Sequence, residues 1–316
     1  MNRYFFNRER CPACISANSI SLRKIAYNEA PMAEHFAQHY SAFDIEKEYL
    51  KYMSGNYYIL NECLDCGLIY QRDVPNDFLI EKIYNEWLDA EKVLERHDRK
   101  RQLNFFISLA GDIVKVIRHF GVLPSELQFL DFGMGLGTWC QLAKGYGSDV
   151  YGTDISKVRC EYVKASGIKV ISIDELDAYK FDYINADQVF EHLATPLETL
   201  CGLREILKPN GIIKISVPNG CDIKSRLEVN DWRAPDDSET SLGAVAPFEH
   251  INCYNYDVLV NMAAMAGFTP ISLHEEVLKT KKSGAMLLAR KAYRFVWPRK
   301  TTIQGLTLFF SKQGSP

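Results

Sequence analysis

Apolar residues recur at helical spacing through LNFFISLAGDIVKVIRHFG, residues 103–121, and Gly121 and Pro124 supply the stop. The stretch before it, NDFLIEKIYNEWLDAEKVLERHDRKRQ, is amphipathic and charged, so a helical connector is predicted from about Asn76 to Phe120. Beyond Gln128 the pattern shortens. Phe129 and Leu130 begin an apolar strand, a glycine-rich loop follows, a helix opens at Thr138, and Asp149–Thr153 makes a second strand ending on Asp154. Residues 219–247 are polar and show no period, which at that length marks a lid or binding element. LKTKKSGAMLLARKAYRFVWPRKTT carries eight Lys and Arg and no acid. Through 279–300 it suits an anionic membrane surface or an anionic substrate, and it suits a solvated helical insert equally.

Composition narrows the classes. The chain has 316 residues, room for two domains or one large decorated one, and a formal net charge of −3. That balance does not recruit nucleic acid. No apolar run approaches the roughly 20 residues of a membrane span. The start, MNRYFFNRERCPAC, is charged and lacks the apolar core of a signal peptide, so a cytoplasmic protein is expected.

Nine cysteines fit poorly with a disulfide framework. Four form two pairs, Cys11-Pro-Ala-Cys14 and Cys63-Leu-Asp-Cys66-Gly67, and the other five are scattered and expected to be small buried apolar groups. Two such knuckles complete a tetrahedral Cys₄ shell for Zn²⁺, with Pro12 and Gly67 suited to the turns. A closed thiolate shell serves structure, not chemistry. The gap of about 48 residues between the pairs exceeds that of a simple zinc ribbon, so it must hold an insertion, in part the helical APMAEHFAQHY. His35 and His39, four apart on that helix, are not counted as ligands.

The glycine loop points to a nucleotide-like cofactor. Asp131-Phe132-Gly133-Met134-Gly135-Leu136-Gly137 follows one strand, and Asp154 ends the next, about 20 residues on. Glycines let backbone approach a ligand, and an acid there accepts from ribose hydroxyls. The glycines alternate as G-x-G-x-G and not G-x-G-x-x-G, and an acid stands two residues before the first. Two cofactor classes compete for such a loop, a dinucleotide and S-adenosylmethionine (SAM).

The segment resembles the class I SAM-dependent methyltransferases, and the likeness continues through KFDYINADQVFEHLATPLETLCGLREILKPNGIIKISVPN. It implies an α/β, Rossmann-like, seven-stranded sheet. Its fourth strand is FDYINA, and its sixth (Ile271–Val277) and seventh (Leu306–Ser311) run antiparallel to each other. It also implies SAM contacts at Asp131, Gly133, Gly135, Gly137, Asp154, Ile155, Asp174, Glu175 and Asp187. Thr195-Pro196-Leu197-Glu198 reads as a capping box with proline in the first turn. The implied organisation is a zinc domain over 1–74, the connector over 75–122, and a methyltransferase domain over 123–316, with a lid at 219–247 and the basic insert at 278–305.

The cysteine knuckles extend the resemblance to sugar and glycan-pathway methyltransferases with an N-terminal zinc domain. Phe-Glu-His occurs twice, at 190–192 and 248–250. Ubiquinone-pathway O-methyltransferases carry a similar Glu-His after the fourth strand, preceded by another Glu, and use the cluster to hold a metal. Gln188 replaces that first acid, so Glu191 and His192 are read as organising the loop over the cofactor. In the zinc-domain enzymes a Glu-His at the second position lies in the active site, which makes His250 the general base and Glu249 its orienting or hydroxyl-binding partner. Imidazole suits proton removal at neutral pH, and Asn255 is the better cap for the next helix. Tyr84, Trp87, Trp232, Tyr254 and Tyr256 are candidates for stacking on a sugar, and each also suits ordinary packing. The expected reaction is methyl transfer to a hydroxyl, less readily a carbon, of a sugar, nucleotide-sugar or glycan. The alternatives are an rRNA or tRNA methyltransferase, a small-molecule O-methyltransferase of the ubiquinone-pathway type, and a non-catalytic SAM-binding protein. The sequence does not set the acceptor or the oligomeric state. The two histidines are expected to face each other across one cleft.

Overall fold

The computed structural model describes residues 4–40, 49–87, 103–235, 238–273 and 305–314. The basic insert, apart from Gly305, lies outside them. Among the described residues no helix is long and apolar enough to cross a membrane.

The N-terminal part contributes strands β1 (Phe5–Asn7), β2 (Ser19–Ala26), β3 (Tyr57–Cys63), β4 (Ile69–Gln71) and β5 (Asp73–Pro75), with helices α1 (Met32–Tyr40) and α2 (Tyr49–Met53) in the insertion between the cysteine pairs. The turn from β3 to β4 is the second knuckle, with Gly67 at φ +80° and its N–H donating to Cys63 O. That region of φ suits glycine, which is why the second pair reads Cys-x-x-Cys-Gly. The connector then gives α3 (Asp77–Lys82), capped by the Asn76 side chain, a π-turn over Ile83–Trp87, and α4 (Leu103–Phe120), which Gly121 ends at φ +65°.

The large sheet follows: β6 (Gln128–Phe132), β7 (Asp149–Thr153), β8 (Lys169–Val170), β9 (Phe181–Asp187) and β10 (Leu207–Val217). Four-residue β12 (Phe268–Ile271) and β13 (Leu306–Lys312) complete it, and the order is β12-β13-β10-β9-β6-β7-β8. β13 runs antiparallel to both its neighbours, Ile213 facing Phe310, while β6 to β10 are parallel. This is the expected architecture. The sixth strand begins at Phe268, earlier than the apolar run had suggested, because the turn at Gly267 (φ +78°) releases the chain directly into the sheet.

Helices α5 (Thr138–Gly145) and α6 (Lys157–Ala165) cross between the first strands, and α7 (Pro196–Glu205) joins β9 to β10. Pro196 occupies the first turn of α7 as expected, but Thr195 makes no side-chain cap bond; its carbonyl receives the Thr199 hydroxyl instead, so the capping box does not form.

The two parts are stitched together by late segments of the chain. The arm at 219–247 contains helix α8 (Ile223–Val229) and a 3₁₀ turn at Gly243–Val245. Ile223, Leu227, Trp232, Leu242 and Val245 are buried in one cluster with Tyr27, Phe36, Tyr58 and Trp87 of the N-terminal half. These residues pack the described part of the arm against that half. Next, β11 (Asn252–Cys253) adds to the edge of β4, giving the sheet β11-β4-β3-β2, before α9 (Tyr256–Met265) returns to the large sheet. Asn255 caps α9 by accepting from Val258 N, as expected.

Candidate functional site

A cavity of about 770 Å³ opens at the carboxyl ends of β6, β7 and β9, where ligands bind in open parallel sheets. Gly133, Gly135 and Gly137 take φ of +78°, +52° and +71°, conformations costly for any residue with a Cβ. Space is short as well: a Cβ on Gly133 would sit 2.5 Å from Val189, and one on Gly137 2.8 Å from Val163. The loop folds against β7, the N–H groups of Gly133 and Met134 both donating to Thr153 O at 2.9 and 3.0 Å. Asp154 is pinned by Gly135 N on one oxygen and Ser156 N on the other, each at 2.9 Å. Each oxygen keeps a further lone pair, and the residue lines the cavity.

Asp131 lies on β6 just before the cavity wall and is 3 % exposed. Asn185 Nδ2 donates to it at 2.7 Å and the Cys140 thiol at 3.4 Å. Burial nevertheless pushes its pKa from 3.8 up to about 6. Sequence reasoning missed Asn185, although a polar residue in the middle of FDYINAD was a usable signal, since such a residue seldom sits in a buried strand without a partner.

Ile155 and Ile173 line the cavity, whereas Asp174 is exposed and is not part of its wall. Glu175 accepts from Ser172 N and closes the 3₁₀ turn over Ile173–Ala178, a true capping box. Asp187 stands at the tip of β9, 3.9 Å from the buried Lys214 Nζ, and does not line the cavity either. Of the five aromatic candidates only Tyr84 reaches the cavity; Trp87, Trp232 and Tyr254 are buried in cores and Tyr256 is exposed on α9. Arg159, to which sequence reasoning gave no role, lines the wall with its guanidinium 5.9 Å from the Tyr84 ring centre.

The two Phe-Glu-His copies meet. His192 and His250 both line the cavity and their ring centres are 5.0 Å apart. His192 Nδ1 donates to Glu249 O at 2.7 Å, so the Glu249 backbone orients the imidazole of the other copy. His250 Nδ1 donates to Gly243 O. A carbonyl only accepts, so each ring carries a proton on Nδ1. Burial, then the neighbouring His250, holds His192 below its ordinary pKa and therefore neutral.

Glu191 is fully buried, 3.8 Å from His192 Nε2, and neither oxygen has another described residue as hydrogen-bond partner. Burial pushes its pKa up to about 8. One donor atom each from Glu191, His192 and His250 lie within 4.8 Å of one another. Two imidazoles beside a buried carboxylate that has no hydrogen-bond partner among the described residues are a donor set that fits a divalent cation. Gln188 had argued against a metal from this loop; His250, arriving from the far end of the arm, supplies the third donor.

The four cysteine sulfurs also lie within 4.8 Å of one another, Cys11 Sγ 3.5 Å from Cys66 Sγ and Cys14 Sγ 3.5 Å from Cys63 Sγ. Zn–S bonds of about 2.3 Å place sulfurs about 3.8 Å apart on a tetrahedron, so the four fit one tetrahedral ion. His35 is engaged elsewhere, its Nδ1 3.2 Å from Trp232 O. Of the five scattered cysteines only Cys140 and Cys253 prove buried, and the expectation fails for Cys201 and Cys221, which are exposed.

Comparison with known proteins agrees with the fold. Residues 96–273 match the family model described as "Methyltransferase domain". Over 110 residues the chain is 30% identical to the ubiquinone biosynthesis O-methyltransferase of Histophilus somni (strain 2336), covering 30% of this chain and 46% of that protein. The protein of the same name from Cereibacter sphaeroides (strain ATCC 17025 / ATH 2.4.3) is 32% identical over 108 residues, 31% of this chain and 44% of its own. The chain thus spans about half the length of the curated relatives it matches. The crystal structure of the plantazolicin methyltransferase BamL, in complex with a triazolic desmethylPZN analog and SAH, superposes with a TM-score of 0.50 at 15% identity over 74% of this chain and 94% of that one. At that identity the likeness concerns the fold.

Proposed function

The chain belongs to the methyltransferase-domain family, and from that premise we propose that it is a SAM-dependent O-methyltransferase acting on a hydroxyl of a small molecule. The observation that carries the proposal is the pair of imidazoles on one wall of a cavity whose other wall holds the glycine loop and Asp154. SAM, when bound, supplies a methyl group on a sulfonium. Asp131 would hold its ammonium, Asp154 its ribose, and Ile155 and Ile173 its adenine. His250, with its proton fixed on Nδ1, would accept the acceptor's hydroxyl proton on Nε2. His192, oriented by Glu249 O, would stay neutral and shape the cleft. The name shared by the relatives supports transfer to oxygen over carbon. A sugar hydroxyl is served by the same geometry, but of the five aromatic residues expected to stack on a pyranose only Tyr84 lines the cavity. Cys11, Cys14, Cys63 and Cys66 would hold a structural Zn²⁺.

Labelled SAM offered with hydroxylated aromatics, nucleotide-sugars and bulk RNA tests the reading. Label is expected on a small-molecule hydroxyl and lost when that hydroxyl is blocked; label in RNA alone would overturn it.

SAM affinity is expected to depend on pH through Asp131. A carboxyl whose folded pKa lies above its unfolded value binds more protons in the folded chain, so its contribution to stability falls as pH rises from 3.8 to about 6. The ammonium needs the ionised form, so affinity should strengthen by up to about tenfold per pH unit up to 6 and then level off. Calorimetric titration between pH 5 and 8 measures this, and Asp131→Asn should bind weakly with no such slope.

A second reading is favoured by the unpartnered Glu191 carboxylate: Glu191, His192 and His250 would hold a divalent cation, which would polarise the acceptor oxygen as a Lewis acid. Mn²⁺ titration followed by electron paramagnetic resonance should show one bound ion, lost in Glu191→Ala. A wild-type chain that binds none leaves His250 as the proton acceptor alone.

A further inference from the structure

Arg8, three residues before the first knuckle, is 4 % exposed, and among the described residues no carboxylate pairs with it. Burying a guanidinium without a counter-ion is costly unless every N–H is satisfied, and here all five are. Nε and Nη2 donate to Gln71 O at 3.0 and 2.6 Å, and Nη2 also to Ile251 O at 2.7 Å. Nη1 donates to Asn252 Oδ1 at 2.7 Å and to Ala194 O at 3.3 Å. The Tyr70 ring centre lies 5.3 Å from its Cζ.

These acceptors are not scattered. Ala194 follows His192 by two residues, and Ile251 follows His250 by one. Asn252 extends the link by donating to Phe190 O at 3.0 Å and Leu193 O at 2.7 Å, the carbonyls on either side of Glu191 and His192. Gln71, whose carbonyl takes two of the five bonds, uses its own amide on Ala246 O and His250 O at 2.9 and 3.0 Å and accepts from Phe248 N at 3.3 Å. That side chain braces the one turn of the segment with a strained residue, Phe248 at φ +69°.

We propose that Arg8 is a positioning residue that sets His192 and His250 against each other, so that the cysteine-bearing N-terminal part carries one side of the active cleft. The proposal rests on the reading of these histidines as the groups that meet the acceptor. Lysine cannot replace arginine fully here, because it offers three donors where five are used.

Hydrogen exchange on the full chain tests it, comparing wild type with Arg8→Met and Arg8→Lys. In Arg8→Met, peptides covering 189–194 and 246–252 should both exchange at least about tenfold faster. Peptides covering the glycine loop at 128–138 should keep their protection, and SAM binding should be unchanged. Arg8→Lys should recover part of the protection. In turnover assays the loss should fall on kcat, with KM for SAM unmoved. Unchanged exchange at the two segments would overturn the proposal. So would an equal loss across the whole sheet, which would make Arg8 a support of the fold at large. The exchange result does not need an acceptor, so a chain that methylates nothing offered to it leaves this test intact. Conversely, unchanged exchange beside an inactive His250→Ala would sink the proposal and leave the functional reading standing.

Discussion

Replacing His250 by alanine is expected to lower turnover by about 10²–10⁴-fold, the usual worth of a positioned proton acceptor, while SAM binds as before. The split follows from geometry. His250 lines the cavity but belongs to the segment that ends at β11, whereas the glycine loop, Asp131 and Asp154 belong to β6 and β7. Removing the ring leaves those strands and their hydrogen bonds untouched. It also removes the bond to Gly243 O, so the arm at 243–250 should loosen locally. His250→Gln, which restores a polar side chain but no basic nitrogen, should stay as slow as alanine. Single-turnover transfer together with calorimetric SAM titration measures both quantities; a wild-type rate in His250→Ala would take His250 out of the chemistry.

The second large effect concerns the cysteine site. If the four cysteines hold Zn²⁺ as proposed, stripping it with a chelator, or substituting Cys63→Ala, is expected to unfold the N-terminal sheet and abolish transfer, while SAM binding survives in part. Structural zinc contributes apparent free energies of about 10–16 kcal/mol in small zinc-finger peptides, comparable to the whole stability of a typical domain. The knuckles are not a detachable handle. Cys11, Cys63, Leu68 and Tyr70 share one buried cluster with Leu130, Ile184, Val258 and Met262 of the large sheet and its helix α9. Metal release, far-ultraviolet circular dichroism and SAM binding followed together should separate loss of the small sheet from loss of the large one. Full activity in the metal-free protein would contradict this account.

The large sheet was legible because its signals are local. Glycines at 133, 135 and 137 and an acid at 154 are dictated by one turn, and the strands around them are short apolar runs with clear ends. What escaped was set by distant contacts. The arm at 219–247 looked like a lid because its apolar residues, Ile223, Leu227, Trp232 and Leu242, follow no single period; they fit irregular gaps in the N-terminal core. Thr195 offered a cap that the backbone did not take. Three of the five aromatic residues proposed for a sugar, Trp87, Trp232 and Tyr254, went to cores, where they bury a large apolar area. The meeting of His192 and His250 was anticipated, but its cause, a strand pairing between residues 252–253 and 69–70, has no local signature. Glu191 lacked a sign of its own because its burial depends on that same pairing.

Strand β11 also bears on the order in which the molecule can be made. During synthesis all four cysteines leave the ribosome well before Asn252 and Cys253, an interval of about ten seconds or more at ordinary elongation rates. The cysteine cluster can assemble in that time, but the edge of β4 stays bare and Arg8 has neither Ile251 nor Asn252 to bind. An N-terminal fragment ending before the large sheet would keep that edge open permanently, with a buried-type arginine in water and a strand free to pair with a neighbour. Nascent chains of this protein should therefore depend on chaperone cover until the last third of the polypeptide has emerged.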